Sequence, residues 1–273
     1  MGPIGYKVIQ LSDDELGKLY SEGIVNETLY ENEYLVIEDK NKQIIDKFKF
    51  QENELKKVKF PIISSTYMGK IKPKTFEQEL ALDLLSDDTI PVKIIRGVYG
   101  AGKDLLMLGK ALELIEKGAY QKIVFIRPNV TVKDVPEIGY LRGSMEDKLS
   151  WTLGPLYDKM GGKESVDSLI ERDRLELMPL LFIRGRSFES SIIYVTEGQN
   201  ITKEIAKLLL GRIGENSILM INADTHQTDS RTFDKDNGIQ AMIDRFSGNR
   251  LFGYVYLSQT LRSEAANLAN LLD

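Results

Sequence analysis

The chain has no cysteine and a single histidine, His226, among its 273 residues. Without thiols there are no disulfides, no thiolate catalysis and no cysteine-ligated metal. One imidazole excludes a multi-histidine metal centre and argues against a His-dependent triad. No apolar run approaches the ~18 residues of a membrane-spanning helix, and no charged-then-apolar leader opens the chain. The expectation is a soluble, cytoplasmic protein without a membrane partner. A strong excess of one charge is also missing: 36 Lys and Arg stand against 41 Asp and Glu, a net charge of -5. A generally basic nucleic-acid coat is therefore excluded, while a local basic groove is not. What is present, 42% hydrophobic and 28% charged residues, is the composition of a folded globular chain. The length allows one large domain, or one with a small attachment.

The first 70 residues read as a small α+β unit. Leu11 to Gly23 forms a short amphipathic helix, capped by Ser12, with Leu16, Leu19 and Tyr20 at helical spacing. Two strand-like runs, beginning at Tyr34 and Gln43, flank the polar turn Asp39-Lys-Asn-Lys and predict a hairpin, with Glu54 to Phe60 as a third strand. The stretch from Met68 to Lys74, with breakers Gly69 and Pro73, reads as the boundary. Its lysines, Lys70, Lys72 and Lys74, fit a solvated linker better than a phosphate track. From residue 71 to the end, strand-like segments near 92–96, 122–127, 192–196, 217–222 and 254–257 alternate with helical ones. That alternation implies a parallel sheet covered on both faces.

Three clusters carry chemistry, each at the carboxyl end of an expected strand, where ligands collect in open parallel sheets. The first is Gly97-Val-Tyr99-Gly100-Ala101-Gly102-Lys103-Asp104, between a strand and a helix. Glycines let amides turn inward around a polyphosphate, the helix start adds a positive dipole end, and Lys103 would reach the β- and γ-phosphates. A Gly-rich strand–helix turn can also be only a tight connection. The last position wants a Mg²⁺-binding hydroxyl and holds Asp104 instead. The second cluster is the strand ending Thr196-Glu197-Gly-Gln199-Asn200, where such folds place metal-binding and water-activating carboxylates. The third, Asn222 to Asp229, contains Gln227, which is able to contact a γ-phosphate.

Taken in order, these residues resemble the PhoH family of RecA-like P-loop ATPases. The likeness runs through Lys74-Thr-Phe-Glu-Gln78, the loop at 97–104, Ile126-Arg127-Pro128, Gly139-Tyr-Leu-Arg142-Gly-Ser, Pro155-Leu-Tyr-Asp, Ile183-Arg184-Gly-Arg186-Ser, Glu197-Gly-Gln199-Asn200, residues 224–229 and Arg262-Ser-Glu. It is strongest toward the ATPase half of PIN–PhoH fusions, with no room before residue 71 for the PIN nuclease. The resemblance implies a hexameric ring that binds ATP with Mg²⁺, hydrolyses it and acts on RNA or single-stranded DNA in a helicase-like manner, with a separate nuclease as a partner. It implies that Gln78 reads adenine, Glu197 orients or deprotonates water, Gln227 senses the γ-phosphate, and Arg262 or Arg186 stabilises the transition state. Arg127, Arg142 and Arg184 become candidates for a nucleic-acid groove, with ion pairing as the alternative for each.

Two departures from the family pattern look reciprocal: Asp104 replaces a hydroxyl and Thr196 replaces a carboxylate. Either Asp104 ligates the metal with Thr196 as its hydrogen-bond partner, or the site has decayed into a nucleotide-binding oligomeric scaffold with weak or no ATPase activity. Two readings of Tyr99 stand, packing beneath the loop or stacking on the nucleotide. His226 reads as a polar neighbour of the site, and Trp151 and Tyr157 as core anchors.

Overall fold

The structure, a computed structural model, describes residues 4–128, 153–224 and 237–261. Its centre is a six-stranded parallel sheet. The strands in chain order are β7 (Val92–Gly97), β8 (Lys122–Ile126), β9 (Leu175–Leu177), β10 (Ser191–Val195), β11 (Ile218–Asp224) and β12 (Phe252–Leu257). In space they lie in the order β12-β7-β11-β10-β8-β9. β7, β10 and β12 are buried along their whole length, as parallel strands covered on both faces must be.

Alternation along each strand sends successive side chains to different cores. Ile192, Tyr194 and Met220 face one side with Ile95. Ile193, Val195, Leu219 and Ile221 face the other with Ile94. The first face is covered by α2 (Phe76–Ser86), α3 (Lys103–Glu116), α4 (Gly154–Lys159) and α5 (Lys163–Glu171). The second is covered by α6 (Lys203–Leu210) and α7 (Gly238–Phe246), which pack on each other. Thr75, Thr202 and Asn237 cap the starts of α2, α6 and α7 by accepting from amides three residues on.

The amino-terminal sheet is β1-β2-β3-β4, formed by Tyr6–Gln10, Tyr34–Glu38, Ile44–Gln51 and Glu54–Lys57. The expected hairpin is β2–β3, and β4 is the expected third strand. β1, which the sequence pattern did not announce, adds in parallel to β2. The first helix, α1 (Asp13–Glu22), starts in a full capping box between Ser12 and Glu15 and ends at left-handed Gly23. It covers one face of this sheet through Leu19, against Leu35, Ile37 and Phe48.

The other face of the small sheet merges with the main core, where Tyr6, Tyr34 and Val36 join residues of α2 and α3. Polar bonds fix the junction. Glu77 accepts from the Tyr6 hydroxyl at 2.6 Å, from Ser258 N at 2.7 Å and from Ser258 Oγ at 2.6 Å. The Asn32 side chain donates to the carbonyls of Arg250 and Phe252. Lys49 bridges Asp83 and Asp87 at 2.9 and 2.6 Å. Chain residues 4 and 5 run beside β12: Tyr256 N donates to Ile4 O at 3.0 Å, and a Cβ on Gly5 would lie 2.1 Å from Tyr254 O. A further hairpin packed onto α3 pairs β5 (Ile63–Ser65), ahead of the expected boundary segment, with β6 (Gly69–Ile71) inside it.

Candidate active site

β7 ends where the sheet's strand order reverses, and the loop after it opens directly into α3. Gly97 closes the strand against β12, since a Cβ there would stand 2.3 Å from Leu257 O. Gly102 begins the helix at φ 85°, a conformation that an L side chain enters only with strain. The loop and the first turn of α3 line a cleft of about 270 Å³ with Lys159, Glu197, Gln199, Asn222 and Asp224. Residues from the ends of β10 and β11 thus meet the loop across one opening.

Lys103 is mostly buried. Its ammonium donates to Gly97 O at 2.9 Å and Val98 O at 2.8 Å, and pairs with Asp224 at 3.2 Å. Gln78 lies beneath the loop with both ends of its amide engaged: Oε1 accepts from Lys74 N and Nε2 donates to Ala101 O at 2.9 Å. The residue expected to read adenine therefore braces the loop's backbone. Tyr99 is 45% exposed on the cleft wall, so it does not pack under the loop.

Glu197 takes a left-handed backbone conformation, φ 53° and ψ 39°, at the end of β10. For a non-glycine residue this conformation is uncommon, costs on the order of 1 kcal/mol, and is concentrated at functional sites. Its carboxylate accepts from Gln199 Nε2 at 2.7 Å and faces Arg127 at 3.8 Å. Arg127, expected to track a nucleic-acid backbone, thus stands beside the water-activating candidate. Arg186 is elsewhere: it pairs with Glu176 on β9 at 2.5 Å and lies over the Phe188 ring. Arg184 is exposed. Arg142, Gln227 and Arg262, with His226 and Trp151, lie outside the described residues.

Asp104 differs most from expectation. Oδ2 accepts from Lys159 Nζ at 2.7 Å, and Oδ1 accepts from the Tyr194 hydroxyl at 2.6 Å and from Asn222 Nδ2. Thr196 lines a small cavity beside it but is not its hydrogen-bond partner. Burial pushes the Asp104 pKa up, yet the Lys159 charge and the three hydrogen bonds outweigh burial and hold it below the usual carboxylate range. Sequence reasoning missed Lys159, although it follows the quoted Pro155-Leu-Tyr-Asp run. It also gave no role to Gln199, Asn222 or Asp224, which the fold brings to the same cleft.

A family model described as a PhoH-like protein matches residues 70–270. The chain belongs to the PhoH-like family. Protein PhoH2 of Bacillus subtilis is 30% identical over 280 residues, covering 97% of this chain and 63% of that protein. Protein PhoH2 of Thermobispora bispora is 33% identical over 202 residues, covering 72% of this chain and 46% of that protein. A PhoH-like protein of Synechocystis is 28% identical over 202 residues, with 72% and 60% covered. The chain thus spans between about half and under two thirds of the length of these relatives. PhoH membership agrees with the sheet and with a P-loop NTPase fold. Among the described residues no helix is long and apolar enough to cross a membrane.

A P-loop NTPase takes its nucleotide with Mg²⁺. The loop of this PhoH-like chain, with its helix start and Lys103, fits a polyphosphate. The expected metal ligand does not fit: Asp104 already accepts three hydrogen bonds, one from an ammonium, whereas Mg²⁺ demands near-octahedral oxygen ligands at ~2.1 Å.

Proposed function

We propose that this PhoH-like chain binds ATP at the 97–104 loop, hydrolyses it, and couples turnover to RNA or single-stranded DNA. The observation carrying the reading is the convergence of the loop, Lys103 and Glu197 on one cleft. Loop amides and the α3 start would hold phosphate oxygens. Lys103 would exchange its two neutral carbonyl partners for anionic phosphate oxygens, a gain because opposite charges then meet across the hydrogen bond. Glu197, fixed by Gln199 and Arg127, would orient the attacking water and accept its proton. Tyr99 would stack on the base.

Exposed Arg184 and the two neighbouring apolar side chains Leu181 and Phe182, 79% and 49% exposed, support a nucleic-acid or subunit contact there. Arg186 does not line its own chain's phosphate cleft, so a role at the phosphates would fall to the Arg186 of a neighbouring copy, released from Glu176, in a homo-oligomeric ring. The family likeness suggests a hexamer and a nuclease acting beside it. The test is phosphate release from ATP, with and without uridine homopolymer or single-stranded DNA. Lys103→Ala and Glu197→Gln should each lower release by at least about tenfold. Unchanged release in Lys103→Ala overturns the reading.

A second reading, a nucleotide-binding scaffold without turnover, is favoured by the commitment of Asp104 to Lys159. Tight ATP binding with no phosphate release would select it.

A further inference from the structure

Asp104 occupies the loop position from which a hydroxyl would serve a metal, and an ammonium already faces it. Lys159 lies in the last turn of α4 and reaches Asp104 Oδ2 at 2.7 Å. The helix is anchored by Leu156, buried three residues earlier and so on the same face. On the far side Tyr194, fully buried, and Asn222 hold the other carboxylate oxygen. The carboxylate is thereby fixed from three strands and helices of the fold. Lys159 itself is only partly buried and lines the same cleft as Lys103 and the loop. One of its three N–H donors serves Asp104, and the ammonium remains at the phosphate cleft.

Resting on the nucleotide reading above, we propose that Lys159 is a second phosphate-binding lysine and Asp104 its positioning residue. The pair replaces the protein's hold on Mg²⁺ at this loop. An ionised Asp104 alone would repel a polyphosphate a few ångströms away, and Lys159 cancels that charge while offering donors to the same oxygens. A fixed cation of this kind makes nucleotide affinity depend less on free divalent metal than a hydroxyl-bearing loop does.

The test is titration with a fluorescent ATP, the N-methylanthraniloyl derivative, in Mg²⁺ and in excess EDTA, with thermal melts to check folding. The variants are Lys159→Met, Lys159→Arg, and the double variant Asp104→Thr, Lys159→Met, which removes both charges and leaves the site's formal charge unchanged. Wild-type affinity should fall by less than about tenfold on chelation, and Lys159→Met should bind at least about tenfold more weakly in EDTA, because it loses a charge-assisted hydrogen bond and leaves the Asp104 charge facing the phosphates. Lys159→Arg should stay near wild type. The double variant, with the usual hydroxyl, should lose on the order of a hundredfold on chelation. Equal losses in wild type and double variant, or Lys159→Met binding as wild type in EDTA, overturn the proposal. A wild type that binds no probe even with Mg²⁺, or Lys103→Ala that binds it as well, overturns the nucleotide reading itself.

Discussion

Gln199 donates to Glu197 across 2.7 Å, and its carbonyl oxygen accepts from the backbone amide of Asp224 at 2.8 Å. One buried amide therefore ties the end of β10 to the end of β11 and aims the carboxylate that stands in left-handed backbone.

Gln199→Ala should leave ATP affinity within about twofold while slowing phosphate release by roughly ten- to a hundredfold, because a misaimed base loses much of its catalytic contribution. Paired binding and turnover measurements check this. Undiminished turnover would mean that Glu197 needs no such support.

Lys93 is buried in β7 and donates to Leu85 O at 3.1 Å. Burial pushes its pKa down to about 8, below the ~10.4 of an unfolded chain. Below pH ~8 both states hold the proton and the full penalty is present; between ~8 and ~10.4 the unfolded state binds more protons, so stability rises with pH. Lys93→Met should therefore stabilise the protein at neutral pH by about 1–3 kcal/mol and flatten that rise. Urea unfolding at pH 7 and pH ~10 reads both effects, and a variant less stable than wild type at pH 7 contradicts the penalty.

Glu77 is 1% exposed and joins β1, α2 and the residue after β12. Removing its carboxylate leaves the buried Tyr6 hydroxyl, and the amide of exposed Ser258, without this acceptor. Glu77→Ala should cost about 2–4 kcal/mol, and Glu77→Gln less. An unfolding midpoint unchanged by Glu77→Ala would show that the junction does not depend on this carboxylate.

The main sheet was legible because its strands are apolar runs closed by Gly, Pro and polar turns, and the loop because its glycines are demanded by backbone geometry. Strand ends shifted by a residue or two: β10 stops at Val195 instead of Thr196, and β11 runs on to Asp224. The short elements α4, α5 and β9 were missed, since three to nine residues carry too little periodicity to stand out. The left-handed turn at Glu197 has no sequence signal, because Glu does not mark that conformation. Nor could spacing show that Lys159 meets Asp104, 55 residues away. Arg127 enters as a groove candidate through its motif near a strand end, with an ion pair as the alternative, and the acidic partner it meets is supplied by a different strand. Charged side chains choose partners in three dimensions; apolar periodicity is written along the chain.

The run of residues 4 and 5 along β12 has a bearing on assembly. Tyr256, on the outermost strand of the large sheet, spends its amide on Ile4, and Gly5 presses backbone to backbone at Tyr254. A second molecule cannot add a strand along that stretch, and the opposite border, β9, offers only three residues. Among the described residues, the β12 border of the large sheet is thus capped at Tyr256 by the chain's own backbone and closed to strand addition there.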